Sequence, residues 1–282
     1  MVKIYKYSGA GNDFIAADGR GGADIAELRA PESIAALCSR ETGVKAADGR
    51  TGADGVIIVN DSAEHDFSME YYNADGSGGM MCGNGGRCIA AFADFLGVPR
   101  KGDTYVFEAA DGLHTGSVLS KDGNLYSIRL GMVDASDRRE VLGGVYLYTG
   151  TRHFVKKVED VREVNVEDEG RELRWNGEFA PQGANVNFLS EGADGWLSVR
   201  TFEKGVEAET LACGTGITAC AIAAYGMGIA PFDTEDDGRV SYRLHALGGD
   251  LSVDFIPDEP ARDVYLTGPA ELIGSVCALQ NK

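Results

Sequence analysis

A five-residue motif occurs twice, once in each half of the chain, and it limits the possible folds more than any other feature. Met81-Cys82-Gly83-Asn84-Gly85 and Ala212-Cys213-Gly214-Thr215-Gly216 share a Cys-Gly-x-Gly frame. Each leads into a run of small residues read as a helix, Ile89 to Leu96 and Ile217 to Tyr225, with a second cysteine beside or within it, Cys88 and Cys220. The first run stops at Gly97 with Pro99 beyond, a normal helix ending. Two copies are too few for a solenoid, so the repeat predicts two similar α/β (α+β) domains facing one another across a cleft. The pattern loosens and charge accumulates from Gly131 to Arg139, which places the boundary there.

The motif favours a particular chemistry. A cysteine just before a helix sits where several backbone N–H groups have no intrahelical partner. Those groups and the helix dipole attract anions and lower the pKa of a nearby thiol. One such site suits a carboxylate, and two facing sites put a sulfur on either side of the carbon bearing it. The α-proton of an amino acid is a very weak acid, so its removal needs a base at the carbon and stabilisation of the developing charge. Inversion needs the new proton to arrive from the opposite face, which a thiolate and a thiol together supply. A single cysteine at a helix start is more often structural; two in matching frames favour function. Zinc is disfavoured, since no histidine follows Cys82 and Cys88 at finger spacing. The glycine loops could bind phosphate by the same N–H physics, but they lack the Gly-Lys-Ser/Thr ending of a P-loop. Cys38, Cys88, Cys220 and Cys277 are read as core residues.

The remaining elements are read from periodicity. Lys3 to Ala17 predicts two strands around the glycine-rich turn Gly9-Ala10-Gly11-Asn12. Asp24 to Cys38 has helical spacing at Ile25, Leu28, Ile34 and Leu37. Gly55 to Asn60, Phe67 to Tyr72 and the stretch Tyr105 to Leu130 read as strands. So do Val145 to Val155, Leu173 to Trp175, Asn185 to Phe188 and Leu197 to Glu203. The uncharged stretch Thr210 to Phe232 is long enough for a membrane span, but it is built from small residues and reads as a glycine loop entering a buried helix.

Charge narrows the partners. Acidic residues outnumber basic ones 44 to 26, a formal net charge of −18. That excess repels phosphates and anionic lipid heads, so neither nucleic acid nor membrane is expected as a partner. No apolar segment of signal-peptide length opens the chain, and the six cysteines do not form a disulfide framework, so a cytoplasmic location with reduced thiols is expected. The 39 glycines, about twice the usual share, point to many turns or close backbone approaches.

The motifs resemble those of the diaminopimelate epimerase family, pyridoxal-independent two-cysteine racemases. The likeness runs from end to end: Gly9 to Phe14, Gly52 to Gly55, Asn73 to Ser77, Met81 to Cys88, Gly183 to Phe188, Ala212 to Gly216 and Thr267 to Ala270. The resemblance implies two pseudo-symmetric domains, each a curled mixed sheet around a central helix, with the active site in the cleft between them. The domains would be residues 1–134 plus 268–282, and 135–267, the C-terminal strand returning to the first. It also implies no cofactor, a small amino-acid substrate, a homodimer and domain closure. By position, Cys82 and Cys213 would be the acid/base pair, with His153 and Glu203 assisting proton transfer. Gly83-Asn84 and Gly214-Thr215 would hold the α-carboxylate, while Asn12, Asn73, Asn185 and Glu203 would bind other polar groups.

Two departures bear on the substrate. The family pattern Asn-Pro-His is Thr151-Arg152-His153 here, and Glu-Arg-Gly is Glu203-Lys204-Gly205. Thr151 and Lys204 fall where the distal end of diaminopimelate would be held, and lysine lacks arginine's two-pronged fork. Arg152 could supply that fork instead. The reading that follows is interconversion of LL- and meso-diaminopimelate. The alternatives are the same chemistry on another amino acid, such as a histidine racemase of a metallophore pathway, and a binding relative without catalysis. A proline-racemase-like enzyme should lack the Asn73 to Ser77 motif.

Overall fold

The computed structural model describes residues 3–46, 49–79 and 81–276. Cys277, one of the cysteines read as core, lies outside the described residues, as do Met1, Val2 and Met80. The chain forms two compact units, Met1–Leu130 with Gly268–Lys282, and Gly131–Thr267.

The first unit contains β1 (Ile4–Gly9), β2 (Asn12–Asp18), α1 (Pro31–Cys38), β3 (Gly55–Asn60), β4 (Phe67–Asn73), α2 (Gly83–Phe95), β5 (Thr104–Ala109), β6 (Gly112–Asp122) and β7 (Leu125–Gly131). β1–β2, β3–β4, β5–β6 and β6–β7 pair antiparallel, whereas β2–β3 and β4–β5 are parallel. Each parallel step carries a helix, α1 or α2, because two parallel neighbours need a long crossover. The last strand, β17 (Arg262–Val276), pairs antiparallel with β1 and also with β7, closing the sheet into a barrel. α2 packs on β1, β2, β3 and β6, and every residue from Gly83 to Ala93 is buried. A helix covered on all sides favours small and apolar residues, which explains its run of Gly and Ala; its buried Asn84 and Arg87 side chains are hydrogen-bonded.

The second unit contains β8 (Ser136–Val141), β9 (Gly144–Tyr148), β10 (Arg152–Lys157), α3 (Val166–Arg174), β11 (Asn185–Glu191), β12 (Leu197–Glu203), β13 (Ala208–Thr210), α4 (Gly214–Gly226), β14 (Asp233–Thr234), β15 (Val240–Ala246) and β16 (Gly249–Ile256). Its pairings repeat those of the first unit in order. β9–β10, β11–β12, β15–β16 and β16–β17 are antiparallel, and β10–β11 and β12–β15 are parallel. α3 and α4 occupy the two crossovers. Met132 N–H donates to the Val264 carbonyl and Ala135 N–H to the Ala261 carbonyl, so the lead-in to β8 runs beside β17 and closes this ring too. α4 is the counterpart of α2, with Gly214 and Gly216 to Ala224 buried. The expected class, a two-part α+β fold of curled mixed sheets around central helices, is the one observed.

Three expectations change. Leu173 to Trp175 is not a strand: Leu173 and Arg174 end α3. Asn165 caps that helix, Glu167, Asp168 and Glu169 fill its first turn, and Arg171 and Arg174 its last, all favourable to the helix dipole. The single helix expected over Asp24 to Cys38 is a 3-10 turn, Glu27–Arg29, followed by α1, because Pro31 cannot continue the turn and instead starts a new helix at its first position. The central helices also begin earlier than their small-residue runs, at Gly83 and Gly214, so the motif glycines form their first turns. The uncharged stretch Thr210 to Phe232 contains α4, and no helix among the described residues is long and apolar enough to cross a membrane.

Candidate active site

In the first unit the residues gather around the start of α2. Cys82 is its N-cap, in extended conformation, and its sulfur accepts the Gly85 N–H at 3.3 Å. The first ladder bond runs from Gly86 N–H to the Cys82 carbonyl at 2.8 Å, so the N–H groups of Gly83 and Asn84 precede the ladder. The Asn84 side chain is buried: its amide donates to Asn12 Oδ1 at 2.6 Å, and its own oxygen accepts from Arg87 Nη2 at 2.8 Å. Asn12 in turn donates to Asp54 Oδ2 at 3.1 Å. Asn73, at the end of β4, forms a turn with Ser77, donating to its hydroxyl at 3.0 Å. Arg87, which also donates to the Gly83 carbonyl, thus links Gly83, Asn84 and Asn12 in one network beside Cys82, while the Asn73 amide is engaged with the turn.

The second unit has a matching arrangement with different support. Cys213 caps α4, and its Sγ lies 3.4 Å from Thr215 Oγ1. That hydroxyl is 2.9 Å from His153 Nε2, and His153 Nδ1 is 3.2 Å from Asn187 Nδ2. Asn187 can only donate from Nδ2, so the shorter contacts assign Nδ1 as the acceptor and Nε2 as the protonated nitrogen, and Asn185 Nδ2, 3.5 Å from Nε2, is then no donor to the ring. Asn187 is itself held by the Thr201 hydroxyl at 2.9 Å and gives its second hydrogen to the Phe154 carbonyl at 3.1 Å. Asn185 stands opposite His153 in the parallel β10–β11 register, and its Oδ1 accepts the Lys204 N–H at 2.7 Å. A Cβ on Gly216 would lie 2.5 Å from Asn187 Oδ1, so glycine is required for the helix start to approach this network. His153 is fully buried, and burial, reinforced by the Lys204 charge, lowers its pKa to about 3; it is neutral near pH 7.

The remaining expected residues cluster at the strand ends of the same unit. Burial raises the Glu203 carboxyl above its ordinary range, against the opposing pull of the Thr210 hydroxyl. Lys204 is lowered by burial and by the charges of Arg152 and Arg174, so three cations lie within electrostatic reach. Arg174 is paired with Glu207 at 3.2 Å. Thr151 sits in the bend before β10, its carbonyl accepting the Thr149 N–H at 3.1 Å. Cys88 and Cys220 are fully buried thiols pushed up by desolvation, and Cys38 is pushed up to about 11 for the same reason. Among the described cysteines, only Cys82 and Cys213 occupy helix N-cap positions.

Sequence reasoning missed Asn187, Arg87 and Tyr71. Asn187 carried a usable signal: Asn185 and Asn187 share one face of a strand and alternate with Val186 and Phe188, and a buried amide there needs partners. Arg87 and Tyr71 gave none, as an arginine in a glycine-rich run and a tyrosine in a strand are both ordinary surface residues.

Among known proteins, the profile of the diaminopimelate epimerase family matches residues 4–133 and 145–273, nearly the whole of both units. The chain belongs to the diaminopimelate epimerase family. It is 41% identical over 271 residues to the diaminopimelate epimerase of Chlorobaculum tepidum, covering 94% of this chain and 97% of that one. It is 36% identical to that of Flavobacterium psychrophilum, covering 96% and 98%. Among solved structures, a phenazine biosynthesis protein of the PhzF family from Bacillus anthracis superposes with a TM-score of 0.69 at 14% identity, covering 99% of each chain. A probable proline racemase from Agrobacterium radiobacter gives 0.63 at 16%, covering 100% of this chain and 94% of that one. These structural likenesses bear on the fold, a mixed α+β architecture with closed barrels. Membership of the diaminopimelate epimerase family makes the protein an isomerase, an amino-acid epimerase or racemase.

Proposed function

We propose that the protein interconverts LL- and meso-diaminopimelate without pyridoxal phosphate, with Cys82 and Cys213 as the acid and base. The observation that carries this reading is the repeated cap: each half supplies one cysteine as the N-cap of a buried helix whose first N–H groups precede the ladder. In the forward step one thiolate takes the α-hydrogen as a proton. The C–H electron pair moves into the carboxylate, where N–H groups of Gly83-Asn84 and Gly214-Thr215 stabilise it. The other thiol then gives its proton to the opposite face, and the reverse reaction exchanges the roles.

His153 supports Cys213 as a neutral hydrogen-bond donor through Thr215, not as a charge carrier. Asn12, Asn73, Asn185 and Glu203 hold the ammonium and carboxylate ends. Arg152 and Lys204 form the cationic pair that grips the distal carboxylate in place of a single arginine.

α-Proton exchange in D2O, followed by NMR without added pyridoxal phosphate on LL-diaminopimelate, histidine and a small amino-acid panel, tests the reading. Exchange with inversion on diaminopimelate alone is the expected result. Exchange only on another amino acid would retain the reaction type and reject the substrate; no exchange on any would reject both.

A further inference from the structure

Resting on the reading of Cys82 as an acid/base group, a further residue enters the chemistry from β4. Tyr71 is half-buried there, its ring edge-on to Phe14 with centroids 6.1 Å apart. Two glycines make room for it. A Cβ on Gly79 would lie 2.3 Å from Tyr71 Cδ1, and one on Gly85 would lie 3.3 Å from Cys82 Sγ and 3.4 Å from Tyr71 Cε2. Ring and sulfur therefore converge on the same point over the first turn of α2, and after burial the Cys82 thiol is the next cause that raises the Tyr71 phenol pKa. The sulfur also accepts the Gly85 N–H.

A buried cation lies one turn further along the same helix. Arg87 is fully buried and gives its N–H groups to the Pro269 and Gly83 carbonyls and to Asn84 Oδ1, none of them a carboxylate. Burial lowers the Arg87 pKa, and the thiols of Cys88 and then Cys82 favour its charge. Burial above all, and the charges of Cys82, Asp54 and Cys38 after it, raise the Tyr71 phenol pKa and keep it protonated, hence a donor. The second unit lacks this arrangement: five residues after Cys213 stands Thr218, whose hydroxyl is turned back onto the Gly214 carbonyl at 3.0 Å.

We propose that Tyr71 is a positioning residue of the reaction, its hydroxyl donating to Cys82 Sγ and, with the Gly85 N–H and the Arg87 charge, stabilising the Cys82 thiolate. The second cysteine draws on a different source, Thr215 backed by neutral His153, so the two halves of the repeat support their sulfurs by different means.

The test is the pH dependence of iodoacetamide alkylation, read separately at Cys82 and Cys213 by peptide mass spectrometry, in the unmodified protein and in Tyr71→Phe. Removing the hydroxyl should raise the Cys82 midpoint by about one pH unit, roughly a tenfold loss of thiolate below it, as expected for a hydrogen bond to a charged group. The Cys213 midpoint should stay in place, and the acid limb of kcat/KM should move up with Cys82. An unchanged Cys82 midpoint, or equal shifts at both cysteines, overturns the proposal. Replacing Tyr71 by 3-fluorotyrosine, a stronger donor of the same shape, should lower the Cys82 midpoint and covers the case in which Tyr71→Phe folds poorly; no response to fluorination also overturns it. Alkylation needs neither substrate nor turnover. Failure of the two-cysteine reading would instead appear as full exchange activity in Cys82→Ala with the alkylation result intact.

Discussion

Burial takes from His153 the charge that histidines usually offer near neutral pH. With its pKa near 3, it should contribute no limb to the activity profile around pH 6.5. Its Cε1–H NMR signal should hold one position between pH 5 and 8; a midpoint near 6.5 would show an ionisable ring and contradict the lowered pKa. What the ring can do is hold the Thr215 hydroxyl, 2.9 Å from Nε2 and 3.4 Å from Cys213 Sγ. Thr215→Val keeps the backbone N–H and the shape but removes that bridge. Its kcat should fall about tenfold, the worth of one modest hydrogen bond, with the thermal midpoint little changed. Unaltered kcat would mean that the bridge has no part in turnover. At this scale the sequence revealed both cysteines, because their frames match. It left Tyr71 and Arg87 hidden, since their importance comes from what the fold brings beside them.

Helix α3 shows how packing and propensity trade against each other. Gly170 lies inside it, where alanine would normally gain about 1 kcal/mol of helix propensity. A Cβ at that position would stand 2.4 Å from Phe202 Cβ and 2.7 Å from its Cγ, both in the fully buried core under α3. Overpacking costs about 1–3 kcal/mol, so Gly170→Ala should lower the thermal midpoint; a rise would mean that the sheet yields more easily than its packing suggests. The same helix explains a misreading. Leu173 and Trp175 alternate as a strand would, but the cap at Asn165 and the charge order along Val166–Arg174 decide the matter. α2 and α4 were legible in existence and in burial, because small residues all round a helix have few other uses. Their starts were not, because Gly-rich turns look alike whether they precede a helix or begin it.

For the molecule as a whole, the shared strand β17 is the weak point of independent folding. Its first part pairs with β16 in the second unit, and its last part pairs with β1 in the first. A chain ending at Thr267 should therefore leave β1 and β7 as open edges and lose the first unit's cooperative unfolding, while the second unit retains protection in hydrogen exchange. Equal protection in both units would show that the barrel closes without β17. Acid should weaken the second unit. The folded pKa of His153 lies below its unfolded value of 6.5, so its contribution is present above pH 6.5 and is lost as pH falls towards about 3.

The two-unit plan was readable from the duplicated motif, but the strand-for-strand repetition of the pairings was not, because the two halves share few residues outside that motif. The central claim is that one thiol from each copy of the motif carries the proton. It is tested most directly by α-proton exchange of LL-diaminopimelate in D2O with Cys82→Ala and Cys213→Ala, each checked for folding by circular dichroism. The account predicts that each substitution lowers inversion at least about 1,000-fold, within the range of a lost general acid or base; full inversion by Cys213→Ala would contradict it.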